Sequence, residues 1–345
     1  MQGKNFLKNV FHQPSNLAGL DIGNYSIKLV TIKKEPFSKK SLLSFAAVPL
    51  PGNASRQNIV DAINQVLIDL PISSKKVNLS ISGPKIIMRY IILPVMKESD
   101  LAKSLEFELE KYIPYKKEEA VINYHILTRI PNNQMVVLFV AAERKIVQER
   151  IDLVKDAGLA PQLITIDALA LCEVFKVLLP GYKGVAAILD IGYRLSKLVV
   201  LENNMPFFSR DIEIGEYDII QMIADKMNAS YGTAKGWACA GDEDKAKELT
   251  EAAKTELHSL LNEITLSFEY CERNLEKTVK QLFLCGGGSR ISIVSGFLER
   301  IPNVKANFLD ITQGFKVSLP PSMQGVNDHP SLLCVAAGLA LSEPE

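Results

Sequence analysis

The chain has 345 residues, 47 % of them apolar, and carries 39 basic and 39 acidic side chains. That length is enough to bury a core in two lobes, and the even charge gives no ground for nucleic acid or an anionic bilayer as the main partner. No apolar run reaches the roughly eighteen residues needed to span a bilayer. Five scattered cysteines with no Cys-x-x-Cys pair, and four histidines far apart (His12, His125, His258, His329), argue against a disulfide framework and a zinc centre.

The N-terminal "MQGKNFLKNVFHQP" has no apolar stretch long enough for export. Its stripe of Phe6, Leu7, Val10 and Phe11 could touch a membrane or a partner, but reads rather as a frayed or domain-packed first turn. Residues 17–20 read as a strand that enters an Asp-Ile-Gly turn, and 27–33 and 42–48 as two more strands. Between 56 and 70, Ile59, Ile63, Val66, Leu67 and Leu70 recur at helical spacing until Pro71, and a short strand follows at 77–81. A compact module then begins near Lys85. It reads as a strand "KIIMRYIILP", a helix capped by Ser99 and stopped before Pro114, two strands joined by "IPNNQ", and a helix closed by Gly158.

After a helix at 169–179, the opening motif returns. "AGLDIGNYSIKLVTI" at Ala18 is matched by "AILDIGYRLSKLVVL" at Ala187, each an apolar run, Asp-Ile-Gly, a short turn and a second strand. A duplicated α/β unit is the simple reading. Helices follow at 217–227 and, as one long helix or two in series, through 241–274. The strand "VKQLFLC" then ends in Gly286, Gly287 and Gly288, and helices close the chain at 291–301 and 331–343.

A tight glycine turn lets backbone N–H groups converge on an anion. Gly23 and Gly192 supply such turns, Asn24 and Ser26 add donors, and Lys28 can neutralise phosphate. Asp21 and Asp190 end matching strands, so facing lobes could hold a hydrated Mg2+ between them. The glycine triplet allows close approach of a nucleoside. A lone Asp-Ile-Gly hairpin would carry little weight. Two in matching contexts with a glycine-ended strand specify a nucleotide cleft.

These residues resemble the actin, sugar kinase and 70-kDa chaperone superfamily, with its actin-like (ribonuclease H-like) duplicated α/β fold of two lobes around a nucleotide cleft. The phosphate loops map to Asp21, Gly23, Asn24, Tyr25 and Ser26 and to Asp190, Gly192, Tyr193 and Ser196, and the adenosine motif to Gly286, Gly287, Gly288 and Ser289. Within it, "IIMRYIILPVMKESDLAKSLEFELEKYIP", "PFFSRDIEIG" and "LFLCGGGSR" are similar to the PilM family, the FtsA-related actin-like proteins of type IV pilus assembly.

That resemblance implies the following division. Subdomain 1A spans 1–84 and 161–186, with a 1C subdomain of the FtsA/PilM type inserted at 85–160. The second lobe spans 187–330, and a helix at 331–345 packs back on 1A. It further implies ATP with Mg2+ held through water by Asp21 and Asp190. The implied location is cytoplasmic, at the inner membrane through partners. The chief partner is the N-terminal cytoplasmic segment of PilN, in a groove between 1A and 1C that residues 89–94, Leu105 and Leu109 could line. Other pilus components and self-association are further partners of that kind.

The family's Ala-Glu-x-x-Lys element here reads "YGTAK": Lys235 is kept and Gly232 stands for the glutamate, while Tyr193 is bulky where a small residue is usual. No residue stands out as a phosphoryl-transfer base, so a scaffold with at most slow turnover is expected. A sugar-type kinase and an FtsA-like division filament are the alternatives, the latter opposed by a C-terminal "LSEPE" without a basic amphipathic helix.

Overall fold

The computed structural model describes residues 18–33, 41–318 and 330–343; the N-terminal stripe, His12 and His329 lie outside them. The first meander is β1 (Ala18–Ile22), β2 (Ser26–Lys33) and β3 (Ser41–Pro49). Next comes α1 (Arg56–Asp69), whose Ser55 cap accepts from the Asn58 N–H while the Asn58 side chain accepts from Ser55. β4 (Lys76–Ile81) then runs parallel to β1. The inserted module is β5 (Ile86–Pro94), α2 (Glu98–Leu109), β6 (Ala120–Ile130) and β7 (Gln134–Glu143). Its hairpin turns on Asn132 and Asn133, both at positive φ, which suits the right-handed twist of paired strands.

The chain returns through α3 (Arg144–Asp156), β8 (Ala160–Ile166) and α4 (Asp167–Leu178). The second lobe repeats the meander as β9 (Val185–Ile191), β10 (Ser196–Glu202) and β11 (Met205–Ile212), turning on Asn203 and Asn204 at positive φ. It continues with α5 (Glu216–Lys226), α6 (Tyr231–Ala240), α7 (Glu243–Ala252), α8 (Lys254–Leu275), β12 (Gln281–Cys285), α9 (Ser292–Leu298) and β13 (Lys305–Phe308). β14 (Phe315–Ser318) and α10 (Cys334–Leu341) then return to the first lobe.

The sheets are ordered β14-β3-β2-β1-β4-β8, β11-β10-β9-β12-β13 and β5-β7-β6. Between the two large sheets lie α4 and α10, in one core with Ile188, Val199 and Phe283 of the second sheet and Val30 and Phe45 of the first. α1 and α3 cover the far face of the first sheet, and α5, α6, α8 and α9 that of the second. This layered duplication puts the carboxyl ends of β1 and β9 on facing sides of one cleft. It is the actin-like fold.

Several expectations need correction. Lys97, not Ser99, precedes α2, and no side chain caps it. α3, assigned to the inserted module, buries Leu153 and Val154 in the core of the first sheet with Ile63 and Val66. β8 and α6 were not foreseen, and β14 pairs with β3 instead of staying in the second lobe. Leu105 lines no groove: it is 1 % exposed, packed with Leu101 beneath Val137 and Phe139.

α10 is apolar on all sides because every side is covered. Gly338 lies so close to α4 that a Cβ there would overlap the Ala170 carbonyl, and one at Gly19 would overlap Ala336. Asn78 Nδ2 donates to the Leu339 and Ser342 carbonyls and holds the helix end against β4. Gly338→Ala should therefore lower stability by about 1–3 kcal/mol through forced separation of α10 from α4, read as a lower urea midpoint with unchanged slope. An unchanged midpoint would mean that the helix shifts freely.

Candidate functional site

The cleft holds a cavity of about 650 Å3, a size that suits a nucleotide. Asp21 faces Lys28 directly across the β1–β2 ladder, and Asp190 faces Lys197 in the same register across β10–β9. The turns close alike: the Gly23 N–H donates to the Ser26 carbonyl and the Gly192 N–H to Leu195.

The two copies differ in their ion pairs. Lys28 Nζ donates to Asp21 Oδ2 at 2.8 Å. Burial by itself would lower the Lys28 pKa, but Asp21, with Asp190 and Asp167 beyond it, holds the ammonium above its ordinary value. Lys197 turns instead to Asp167 Oδ2 at 3.2 Å and Asp211 Oδ1 at 3.0 Å, and its pKa is raised by those carboxylates against a large burial cost. The pKa of Asp167, the first residue of α4, is lowered: burial opposes this, and Lys197 with the Ser80 and Ser82 hydroxyls outweighs it. Among the described residues no ion pair reaches Asp190, which accepts from the Cys285 thiol at 3.8 Å. Burial first, and Asp167 second, push its pKa up to about 6. Asp211 Oδ2 accepts from the Gly83 N–H at 2.8 Å, so the Lys197 group touches the backbone just before the inserted module.

At the cleft mouth Tyr25 of the first lobe meets Tyr193 of the second, ring centroids 5.0 Å apart. Tyr193 packs in turn on Tyr217, which carries the Arg194 guanidinium 3.5 Å above its ring. Lys235 Nζ lies 4.3 Å over the Tyr25 ring and pairs with Glu216. The bulk of Tyr193 thus serves an aromatic clasp across the cleft. Gly286 adopts φ +82°, and a Cβ there would strike Asp190 and the Ile191 backbone.

Of the expected residues, Asp21, Gly23, Asn24, Tyr25, Ser26, Lys28, Asp190, Gly192, Tyr193, Lys235, Gly286 and Gly287 line the cavity. Ser196, Gly288 and Ser289 do not. Ser196 is buried and donates to the Ile214 carbonyl, Gly288 packs against Ile191, and Ser289 donates to the Gly286 carbonyl. Sequence reasoning missed Arg150, Asp167, Lys197, Glu216 and Arg290, all at the cavity wall. For Lys197 the signal was present, since the aligned repeats set it opposite Lys28. Among the described residues no three His, Cys, Asp or Glu side chains converge as a metal centre, and no helix is long and apolar enough to cross a membrane.

The model of the family described as "Type IV pilus assembly protein PilM" matches residues 19–343. The chain belongs to the PilM family. Two solved structures show how far this PilM-family fold is shared. One, described as the PilM-PilN type IV pilus biogenesis complex, aligns at a TM-score of 0.82 and 23 % identity over 95 % of this chain and 99 % of that one. The other, the ethanolamine utilization protein EutJ from Carboxydothermus hydrogenoformans, aligns at 0.54 and 11 % over 96 % and 90 %.

Proposed function

We propose that this PilM-family chain is an ATP-binding scaffold that docks the short N-terminal cytoplasmic segment of a PilN-type inner-membrane partner. Family membership over nearly the whole chain is the observation that carries this reading, supported by the likeness to a PilM-PilN complex. The cleft's fit supports the nucleotide. Both glycine turns line the cavity, Lys28 offers a cation, and Gly286 and Gly287 bring side-chain-free backbone to its wall. Asp21 and Asp190 would hold Mg2+ through water, and the ion would offset phosphate charge. Lys28 is then free to leave Asp21 for a phosphate oxygen. Turnover is expected to be slow at most, and the protein works by holding its lobes and partner in place at the cytoplasmic side of the inner membrane.

For the docking surface, the strand face of Met88 and Tyr90 turns toward α4 and the central core. Ile92, two residues on along that face, is 58 % exposed. An extended apolar peptide would cover it. The Lys197–Asp211–Gly83 chain connects this module to the cleft, so nucleotide should alter partner affinity through linkage. Calorimetry with the partner's N-terminal peptide, with and without Mg-ATP, is the test. Ile92→Asp should weaken binding about 30-fold or more, with the fold intact because the side chain is exposed. Undiminished affinity in that variant would remove the surface from the interface.

A further inference from the structure

We propose that Tyr25 is a latch between the lobes, which must leave its seat on the second lobe before nucleotide enters or leaves the cleft. The proposal rests on the nucleotide reading above and adds a rate-setting device to it. Tyr25 stands at the tip of the first glycine turn. Its carbonyl accepts from the Leu50 N–H at 2.7 Å, which fixes the backbone there. Its ring crosses to the second lobe, where the Tyr193 ring meets it and Lys235 Nζ lies over its face. The second lobe holds that seat in place. The Tyr193 carbonyl accepts from the Tyr217 N–H at 2.8 Å at the start of α5, and a Cβ on Gly215 would overlap that carbonyl. The Tyr193 ring packs edge-on against Tyr217 and Tyr231, which stack on each other with centroids 5.6 Å apart. Lys235 is held by Glu216. One first-lobe ring thus closes on a wall of three tyrosines and a lysine.

The strength of this contact suits a gate. At the cleft floor the lobes share a buried core through α4 and α10, and the buried Lys197 group joins them there. Those contacts form the hinge side. Tyr25 is 41 % exposed and sits at the mouth. Parting it from the second lobe strands no charge, because Lys235 keeps Glu216. The loss is one aromatic pair and one cation–π contact, enough to hold the open form to about a tenth of the molecules or less without forbidding it. Tyr25, Tyr193 and Lys235 line the cavity together with both glycine turns, so the latch closes over the end that would take the phosphates. Entry then scales with the open fraction, and so does release.

Stopped-flow mixing with Mg-ATP labelled by a fluorophore on the adenine tests this in the full chain. Tyr25→Ala and Tyr193→Ala should each raise the association and the release rate constants, by about tenfold or more. The double variant should be no faster than the faster single one, since both remove the same contact. Tyr25→Phe keeps the ring and should stay slow. The exposure of Tyr25 lets its variants fold, so they decide the matter even where Tyr193→Ala does not. In nucleotide-free protein, Tyr25→Ala should also speed amide hydrogen exchange across residues 190–197 of the opposite lobe. Unchanged rate constants in Tyr25→Ala overturn the latch while the nucleotide reading stands. Faster release with unchanged association overturns it too, because that result marks Tyr25 as a ligand contact. Multiplying effects in the double variant overturn it as well. If the wild type binds no nucleotide, that reading fails and the latch on nucleotide exchange fails with it.

Discussion

Lys197→Met should cost about 3–5 kcal/mol of stability, the largest loss expected from any single change in the cleft. The Lys197 side chain is 7 % exposed and sits between Asp167 of the first lobe and Asp211 of the second. With a methionine of similar volume, the packing is nearly kept, but two buried carboxylates lose their cation while Asp190 stands nearby. Asp167, Asp211 and Asp190 then share the cleft floor with Asp21 near them, and of the cations beside them Lys28 is already paired with Asp21, which leaves Arg150 to offset the rest. The pH dependence gives the mechanism its signature. Carboxylates deprived of Lys197 have raised pKa values in the folded state, so they bind protons there before they do in the unfolded chain. The folded variant therefore gains on acidification, and its deficit against wild type should shrink between pH 7 and pH 5. Urea unfolding at those two pH values measures it. A deficit under 1 kcal/mol, or one that does not change with pH, would mean that water already screens the group. Lys197→Arg should keep most of the stability, since it keeps the charge.

Lys197 also shows what the sequence could and could not reveal. The duplicated hairpins were legible because each is local: apolar run, Asp-Ile-Gly, return strand. Once aligned they set Asp21 against Lys28 and Asp190 against Lys197, and both pairs face each other in the ladders. The partners that differ were not legible. Asp167 comes from α4 and Asp211 from β11, and no spacing brings them to Lys197 before the lobes fold. Glu216 is likewise far in sequence from Lys235 and Gly287.

Errors at the glycine loop have another cause. A turn sends neighbouring residues in opposite directions, so Gly286 and Gly287 line the cavity while Gly288 and Ser289 pack behind it. Leu105 misled for a similar reason, since Leu101 and Leu105, one helical turn apart, both face their own sheet. β8 was hidden by its short run and Pro161, β13 and β14 by having four residues each, and α6 by two glycines in ten positions.

Asp190→Asn should make the protein more stable at neutral pH and worse at holding Mg-nucleotide. The Asp190 pKa, near 6 in the fold, lies above the ordinary carboxylate value of 3.8, chiefly because the group is buried and secondly because Asp167 is close. A raised folded pKa means that the folded state binds more protons than the unfolded state between pH 4 and pH 6. The stability this group contributes is full below about pH 4 and is lost as pH rises through 6, a fall of roughly 2–3 kcal/mol. Asparagine keeps the shape and removes the titration. The wild type and the variant should therefore have matching stabilities near pH 4 and diverge in the variant's favour by about 2 kcal/mol at pH 7.5. Asp167, whose lowered pKa adds an opposite slope at more acid pH, is present in both proteins, and loss of the Asp190 charge lowers its pKa further, which affects the comparison only at more acid pH. Parallel curves across this range would show that water reaches Asp190 freely and that its charge costs nothing. The expected divergence would instead identify a carboxylate kept ionised at the fold's expense. That expense makes sense for a group meant to meet a cation, and saturating Mg-ATP should then stabilise the wild type more than Asp190→Asn.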